Sequence, residues 1–300
     1  MRISLAIAFA VGVLSPTAHA ETIRIGSISS TPVEETRIFQ PLADYLSDAL
    51  KAHGIEGVEI VVAKTIPEMA DLLKSGKADL YIDSPFAATA VHRLSGAKPF
   101  LRRWKKGVGE YRTQIFVRAD SGIDSLEKLK GNLIAFEEQA SSSGYLLPKL
   151  MLRQMHFTLT QKKSISDSVV PDEIGYLFSS DDDLTVKWVL KGKVAAGACD
   201  DEGLRRRAGQ DFGKLRILHE SFPMPRHVVL HRADLSSERR TQVRDALLAM
   251  HETEAGRKAL EAFQKTTKFD ELSSTAMAPL MLPLAQSFLD SEFGLTISSK

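Results

Sequence analysis

An α/β fold of two lobes, each a mostly parallel sheet flanked by helices, is what this sequence predicts. Three observations carry it. Strand and helix patterns alternate through short connections, the mark of parallel βαβ units. The alternation starts twice, near residue 22 and again near residue 113. No Gly/Pro/Ser-rich linker separates the halves, so strands crossing between them, rather than a loose tether, should join them. The expected division is 22–113 plus 219–300 for lobe one and 114–218 for lobe two, after a leader at 1–20.

The leader holds one charge, Arg2, then an apolar run from residue 3 to 14, then Ala18-His19-Ala20. A basic start, a short apolar middle and an A-x-A site read as a secretory signal peptide cleaved after Ala20. The run is too short to span a bilayer, and no later stretch is long and apolar enough. The mature chain is therefore expected to be exported. Lysine and arginine total 39, one of them Arg2, against 38 acidic side chains. That balance argues against a nucleic-acid partner. Cys199 stands alone, so no intramolecular disulfide can form, as suits a bacterial exported domain large enough to do without.

Residues 21–28 alternate Ile23 and Ile25 with polar neighbours, a strand, and the Ser29-Ser30-Thr31 loop follows. Residues 39–53 have helical spacing. Residues 58–63 form a second strand. Residues 66–75 form a helix, with Thr65 as N-cap and Gly76 beyond its end. Residues 78–82 form a short strand running into Asp83-Ser84-Pro85 and another helix to about residue 95. The second round has strands at 113–118 and 133–136, helices at 144–156 and 184–190, and a strand at 194–198. Return strands are expected at 216–219 and 227–230, then helices across 236–265 and 279–289. The basic run Arg102-Arg103-Trp104-Lys105-Lys106 reads as a solvated strand edge or turn.

The stretch Glu137-Glu138-Gln139-Ala140-Ser141-Ser142-Ser143-Gly144 joins a strand to a helix. A helix start offers unpaired N–H groups and the positive end of its dipole, and serine hydroxyls add donors there. With Gly144 admitting close approach to the backbone, the cluster can hold an oxyanion with neutral donors and no lysine. Ligands in open α/β sheets sit beyond the carboxyl ends of strands, where this loop lies. The alternative is that one serine caps the helix and two are solvated.

Four segments resemble the phosphate/phosphite/phosphonate-binding family of type II periplasmic binding proteins. They are IRIGSISSTPVEE, LLKSGKADLYIDSPFAATAV, the long run EYRTQIFVRADSGIDSLEKLKGNLIAFEEQASSSGYLLPKLML, and VLKGKVAAGACDD. The S-x-S-G-Y-L-x-P pattern after S-L-x-x-L-K-G is the specific part, and the likeness covers nearly the whole mature chain. The resemblance implies two α/β lobes joined by two crossing strands, with the ligand between them. It implies Ser141, Ser142, Ser143 and the Gly144 N–H on the oxyanion, Ser29, Ser30, Thr31, Asp83 and Ser84 facing it, and Tyr111 at the hinge. It further implies delivery of a small phosphorus-type oxyanion, phosphonate-, phosphite- or phosphate-like, to an ABC permease by a monomer without cofactor or metal. An alternative is a sensing module that presents its closed form to the periplasmic domain of a histidine kinase.

Three positions depart from the family pattern: Asp83, the run Asp181-Asp182-Asp183, and Ala195 where an aspartate is usual. An ionised carboxylate only accepts hydrogen bonds, so Asp83 in the cleft would favour a ligand bearing a proton or an amine, and Asp182 is a further candidate to meet the ligand. Both could instead cap helices. Arg112 and Arg226 could meet the anion or form surface ion pairs. Cys199 and Asp200 follow a strand and could reach the cleft edge, where a thiol would suit an arsenic oxyanion; a free cysteine is more often buried. No H-E-x-x-H, C-x-x-C, P-loop lysine or G-x-S-x-G occurs, and no enzyme is expected.

Overall fold

The computed structural model describes residues 21–139 and 141–295; the leader and its cleavage point after Ala20 lie outside them. Strand β1 (Glu21–Ile28) leads into helix α1 (Pro32–Leu50), β2 (Ile55–Ala63), α2 (Ile66–Lys74), β3 (Leu80–Asp83), α3 (Pro85–Ser95) and β4 (Lys98–Lys105). A two-residue strand, β5 (Glu110–Tyr111), carries the chain across to β6 (Thr113–Arg118) and β7 (Leu133–Phe136). A π-helical turn at Ser142–Leu146 opens α4 (Leu147–Gln154). Then come β8 (Thr158–Gln161), β9 (Glu173–Phe178), α5 (Asp182–Leu190), β10 (Ala196–Asp200), α6 (Asp201–Ala208) and β11 (Leu215–Glu220). The return crossing is β12 (Met224–Pro225), followed by β13 (His227–His231), α7 (Ser237–Ala249), α8 (Glu254–Ala262), β14 (Thr266–Glu271) and α9 (Pro283–Phe293).

Two six-stranded sheets result, ordered β14-β4-β13-β3-β1-β2 and β11-β6-β10-β7-β9-β8. In the first, β1 runs parallel to β2 and β3, while β13 lies antiparallel between β3 and β4. In the second, β7, β8, β9 and β10 are mutually parallel, and β6 is antiparallel to β10 and β11. The crossing strands pair with each other, Tyr111 opposite Met224 and Glu110 opposite Pro225. This is the two-lobed α/β architecture with two crossing strands. His219 and Glu220 pair with β6, inside the second sheet. Among the described residues, no helix is long and apolar enough to cross a membrane.

Each sheet buries its inward apolar residues under helices. Ile23, Ile25, Leu80, Ile82 and Val229 meet Phe39, Leu42 and Leu46 of α1 in one cluster. Phe116, Ala135 and Leu177 meet Val186 and Val189 of α5 in another. Helix α1 starts earlier than its apolar period suggests. Pro32 fits the first turn, whose N–H needs no partner, while Val33 and Glu34 stay exposed there. The basic run at 102–106 is corrected: Arg102–Lys105 belongs to β4, an interior strand between β14 and β13. Arg103 is 1% exposed, its guanidinium 3.5 Å from the Phe263 ring centre and bonded to Thr266 Oγ1 at 2.9 Å. Arg102 is held by Asp270 of β14 at 2.9 and 2.8 Å.

Candidate functional site

Parallel strands place their carboxyl ends, and the helix starts that follow, on one side of each sheet. Here those ends are Ile28, Asp83, Phe136 and Asp200. β13 is antiparallel to both its neighbours, so β4 points the same way as β3 and delivers Lys105 beside Asp83. A cavity of about 410 Å³ lies where the two lobes meet, lined by Asp83, Ser84, Lys105, Lys106, Arg226 and His227 from one lobe. Glu137, Glu138, Ser141, Ser142, Ser143, Asp182, Asp200 and Arg207 line it from the other, with Tyr111 at the crossing. A groove of about 550 Å³ sits at the opposite end of the second sheet, around Arg118, Asn132 and Lys193. None of its polar side chains is buried without a partner, so it lacks the unmet bonding capacity found in the cleft.

The serine cluster is built locally. Ser141 caps the turn, its Oγ accepting from the Gly144 N–H at 2.9 Å, while its carbonyl accepts from the Leu146 N–H. Ser142 Oγ is buried with no partner. The Ser143 carbonyl accepts from Thr113 Oγ1, pinning the turn to β6. The Gly144 N–H is therefore already used, and its expected place on a ligand is corrected. Its missing side chain serves packing instead: a Cβ there would stand 2.6 Å from Glu137 Cβ and 2.9 Å from Glu137 Oε2.

Asp83 accepts from the Tyr81 hydroxyl at 2.7 Å and from the Ser84 N–H at 2.6 Å. Burial nonetheless raises its pKa above the ordinary carboxylate value. Asp182 is pushed up to about 7, by burial first and by Glu137 next, against the pull of Arg207 at 2.7 Å. It is Asp181 that caps α5, through the Leu184 N–H at 2.6 Å, which leaves Asp182 to face the cavity. Asp200 both lines the cavity and caps α6 through the Gly203 N–H at 2.9 Å. Burial, with Arg103 and Arg226 adding repulsion, lowers Lys105 to about 7. Burial also drives His227 well below its ordinary value, so its ring is neutral.

Arg226 stacks over Tyr111, 5.0 Å from the ring centre, and its Nε is buried without a partner. His227 Nδ1, Asp182 Oδ1 and the Arg207 Nε and Nη1 are likewise unpartnered. With Ser142 Oγ, these unpartnered donors and acceptors come from both lobes and belong to residues that line one cavity. Buried polar atoms cost roughly 1–3 kcal/mol each when unpaired, so such a grouping marks a place where something else completes the bonding.

Other expected residues lie elsewhere. Ser29 and Thr31 bond each other at 3.2 Å in a turn whose Ser30 is exposed; only the adjacent Ile28 lines the cavity. Arg112 donates to the Ser221 carbonyl at 3.0 Å and lies 3.5 Å from Glu220. Cys199 is fully buried among Phe116, Val186 and Leu204, and burial raises its thiol pKa. That removes the thiol from the cleft edge. Beside the serine cluster, which reads from sequence as a site without lysine, Lys105 and Lys106 line the same cavity. Sequence reasoning missed those two, Glu137, Glu138, Arg207 and His227. Glu137 had a usable signal, since it directly follows the end of a strand.

Two lobes on two crossing strands, with a charged cleft at the strand ends, define a type II periplasmic binding protein. The family profile for phosphonate periplasmic substrate-binding proteins of ABC transporters matches residues 25–276, and the chain belongs to that family. XAC2383 of Xanthomonas citri, solved with chloride, is 28% identical over 90% of this chain and 98% of its own, with a TM-score of 0.77. Its ATP-bound structure matches at 27% identity over 91% and 98%, with a TM-score of 0.78. PhnD1 of Prochlorococcus marinus, solved with methylphosphonate, shares the fold at 15% identity, over 92% and 99%, with a TM-score of 0.61. Membership makes the chain a substrate-binding component rather than an enzyme, with a small-molecule ligand, an ABC permease as partner class and the periplasm as its place.

Proposed function

We propose that the chain captures a small phosphorus oxyanion, of the phosphonate, phosphite or phosphate kind, between its lobes and presents it to the permease. The observation that carries this is a set of buried donors without a hydrogen-bond partner, Ser142 Oγ from one lobe and Arg226 Nε from the other, on residues that line one cavity. Oxyanion oxygens accept several bonds each and would complete that set. Methylphosphonate in PhnD1 and ATP in XAC2383 share phosphoryl oxygens, which supports the same ligand chemistry. Asp83, Glu137 and Asp182 face the same space, so the ligand carries a proton or an ammonium for an acid to accept. Capture then closes the lobes about the paired crossing strands.

Titration calorimetry against methylphosphonate, phosphite, phosphate and an aminoalkylphosphonate tests the reading; no binding by any of the four would overturn it. Ser142→Ala should weaken the best ligand about tenfold, roughly 1.4 kcal/mol for one lost hydrogen bond to a charged group. Undiminished affinity would remove the serine from the site.

Anion affinity should also fall as pH rises through about 7. Lys105 loses its charge there, and Asp182 gains one, so both changes strip positive charge from the cavity. The expected loss is about tenfold between pH 6 and 8.5, one pKa unit of coupling being about 1.4 kcal/mol. Lys105→Met should flatten the profile. The ligand's own ionisation is common to both proteins, so their difference isolates the lysine, and identical profiles would exclude it.

A further inference from the structure

Helix α9 belongs by chain connection to β14 and the first sheet, yet it touches both lobes. On one flank Asp290 takes a two-pronged contact from Arg93 of α3, at 2.6 and 3.1 Å, and Arg93 also donates to the Gln286 carbonyl. On the other flank Glu292 accepts from Lys149 of α4, at 2.9 and 3.0 Å, and from the Tyr145 hydroxyl at 2.6 Å. Lys149 and Glu292 side chains are only 10% and 9% exposed. The ammonium also lies 4.8 and 4.9 Å from the ring centres of Tyr145 and Tyr176. Arg153, one turn further along α4, sits over Phe288 of α9.

We infer that Glu292 is a latch between the lobes, tying α9 of the first lobe to α4 of the second and so setting how readily the cleft opens. Two features join it to the cleft. Tyr145 lies in the same helical turn as Ser142 and Ser143, and Phe293, next to Glu292, lines the cavity. Parting the lobes pulls α9 from α4, because the covalent link and Arg93 keep α9 with the first lobe. A sealed ion pair gains little net free energy by forming, but removing one partner strands the other charge out of water. Glu292→Gln therefore penalises the closed arrangement alone, since Lys149 is hydrated once the lobes part.

Small-angle scattering of the unliganded protein and methylphosphonate calorimetry test this together. Glu292→Gln should raise the radius of gyration and weaken methylphosphonate about tenfold. Lys149→Met added to Glu292→Gln removes the stranded ammonium, keeps an acceptor for Tyr145, and should return both readouts toward the unmodified protein. Tyr145→Phe, which retains the ring, should move them the same way as Glu292→Gln by a few-fold, and serves should that variant fail to fold. A lower melting temperature with unchanged scattering and affinity would overturn the latch, leaving an ordinary packing contact. The inference rests on the cleft being the ligand site. The scattering arm needs no ligand, so shifted scattering without methylphosphonate binding would sink that ligand and spare the latch.

Discussion

Arg226→Ala is expected to weaken methylphosphonate binding about 100-fold, close to 2.7 kcal/mol. Among the described residues, no carboxylate lies within ion-pair distance of this guanidinium, although its Nε is buried. Arg207 differs, since Asp182, Asp183 and Asp200 surround it at 2.7, 3.8 and 3.7 Å. Arg226 thus brings the cavity an arginine charge not committed to a carboxylate, its guanidinium over the Tyr111 ring at the hinge. A planar guanidinium offers two parallel donors to an oxyanion, which an ammonium cannot reproduce. Arg226→Lys should recover only part of the loss. The backbone N–H of residue 226 still reaches the Gly109 carbonyl at 2.8 Å, so alanine leaves the strand crossing in place. Calorimetry giving an alanine variant within threefold of the unmodified protein would remove Arg226 from the site.

Gly144→Ala should lower stability by about 2 kcal/mol, as overpacking does, and abolish capture with it. The new methyl meets Glu137 at its Cβ, an atom near the backbone that cannot swing aside. The Glu137 N–H is bonded to the Gly144 carbonyl at 3.1 Å, so the two segments cannot separate without losing that bond. Thermal unfolding without ligand should show a fall of several degrees for a chain of this size. A variant that melts with the parent would mean that the turn tolerates a side chain.

Much of the fold is legible because it is local. Apolar spacing in α2, the Thr65 cap and the short strand ending at Asp83 are fixed by neighbours within a few residues. The serine turn is legible for the same reason: Ser141 caps its own helix and leaves Ser142 inward. Strand β4 is not. Its Arg102 and Arg103 are tolerated inside a sheet only because Asp270, Phe263 and Thr266, some 160 residues later, supply partners. The period of charged residues says nothing about such distant compensation. β14 was missed alongside it, and with β4 unread Lys105 had no strand to bring it to the cleft. Arg207 was hidden for a related reason. Its place depends on α6 packing beside α5, where Asp182 awaits it. Glycine misled in the opposite direction: Gly144 promised open access for a ligand, and a neighbouring carboxylate side chain occupies that space.

The lone thiol at Cys199, sealed beneath α5 and α6, is out of reach of maleimides and of oxidants. A single cysteine introduced on either rim would therefore be the one reactive handle on the molecule. A fluorophore attached there could report cleft movement in the native background, without first engineering away the residue that packs the second lobe.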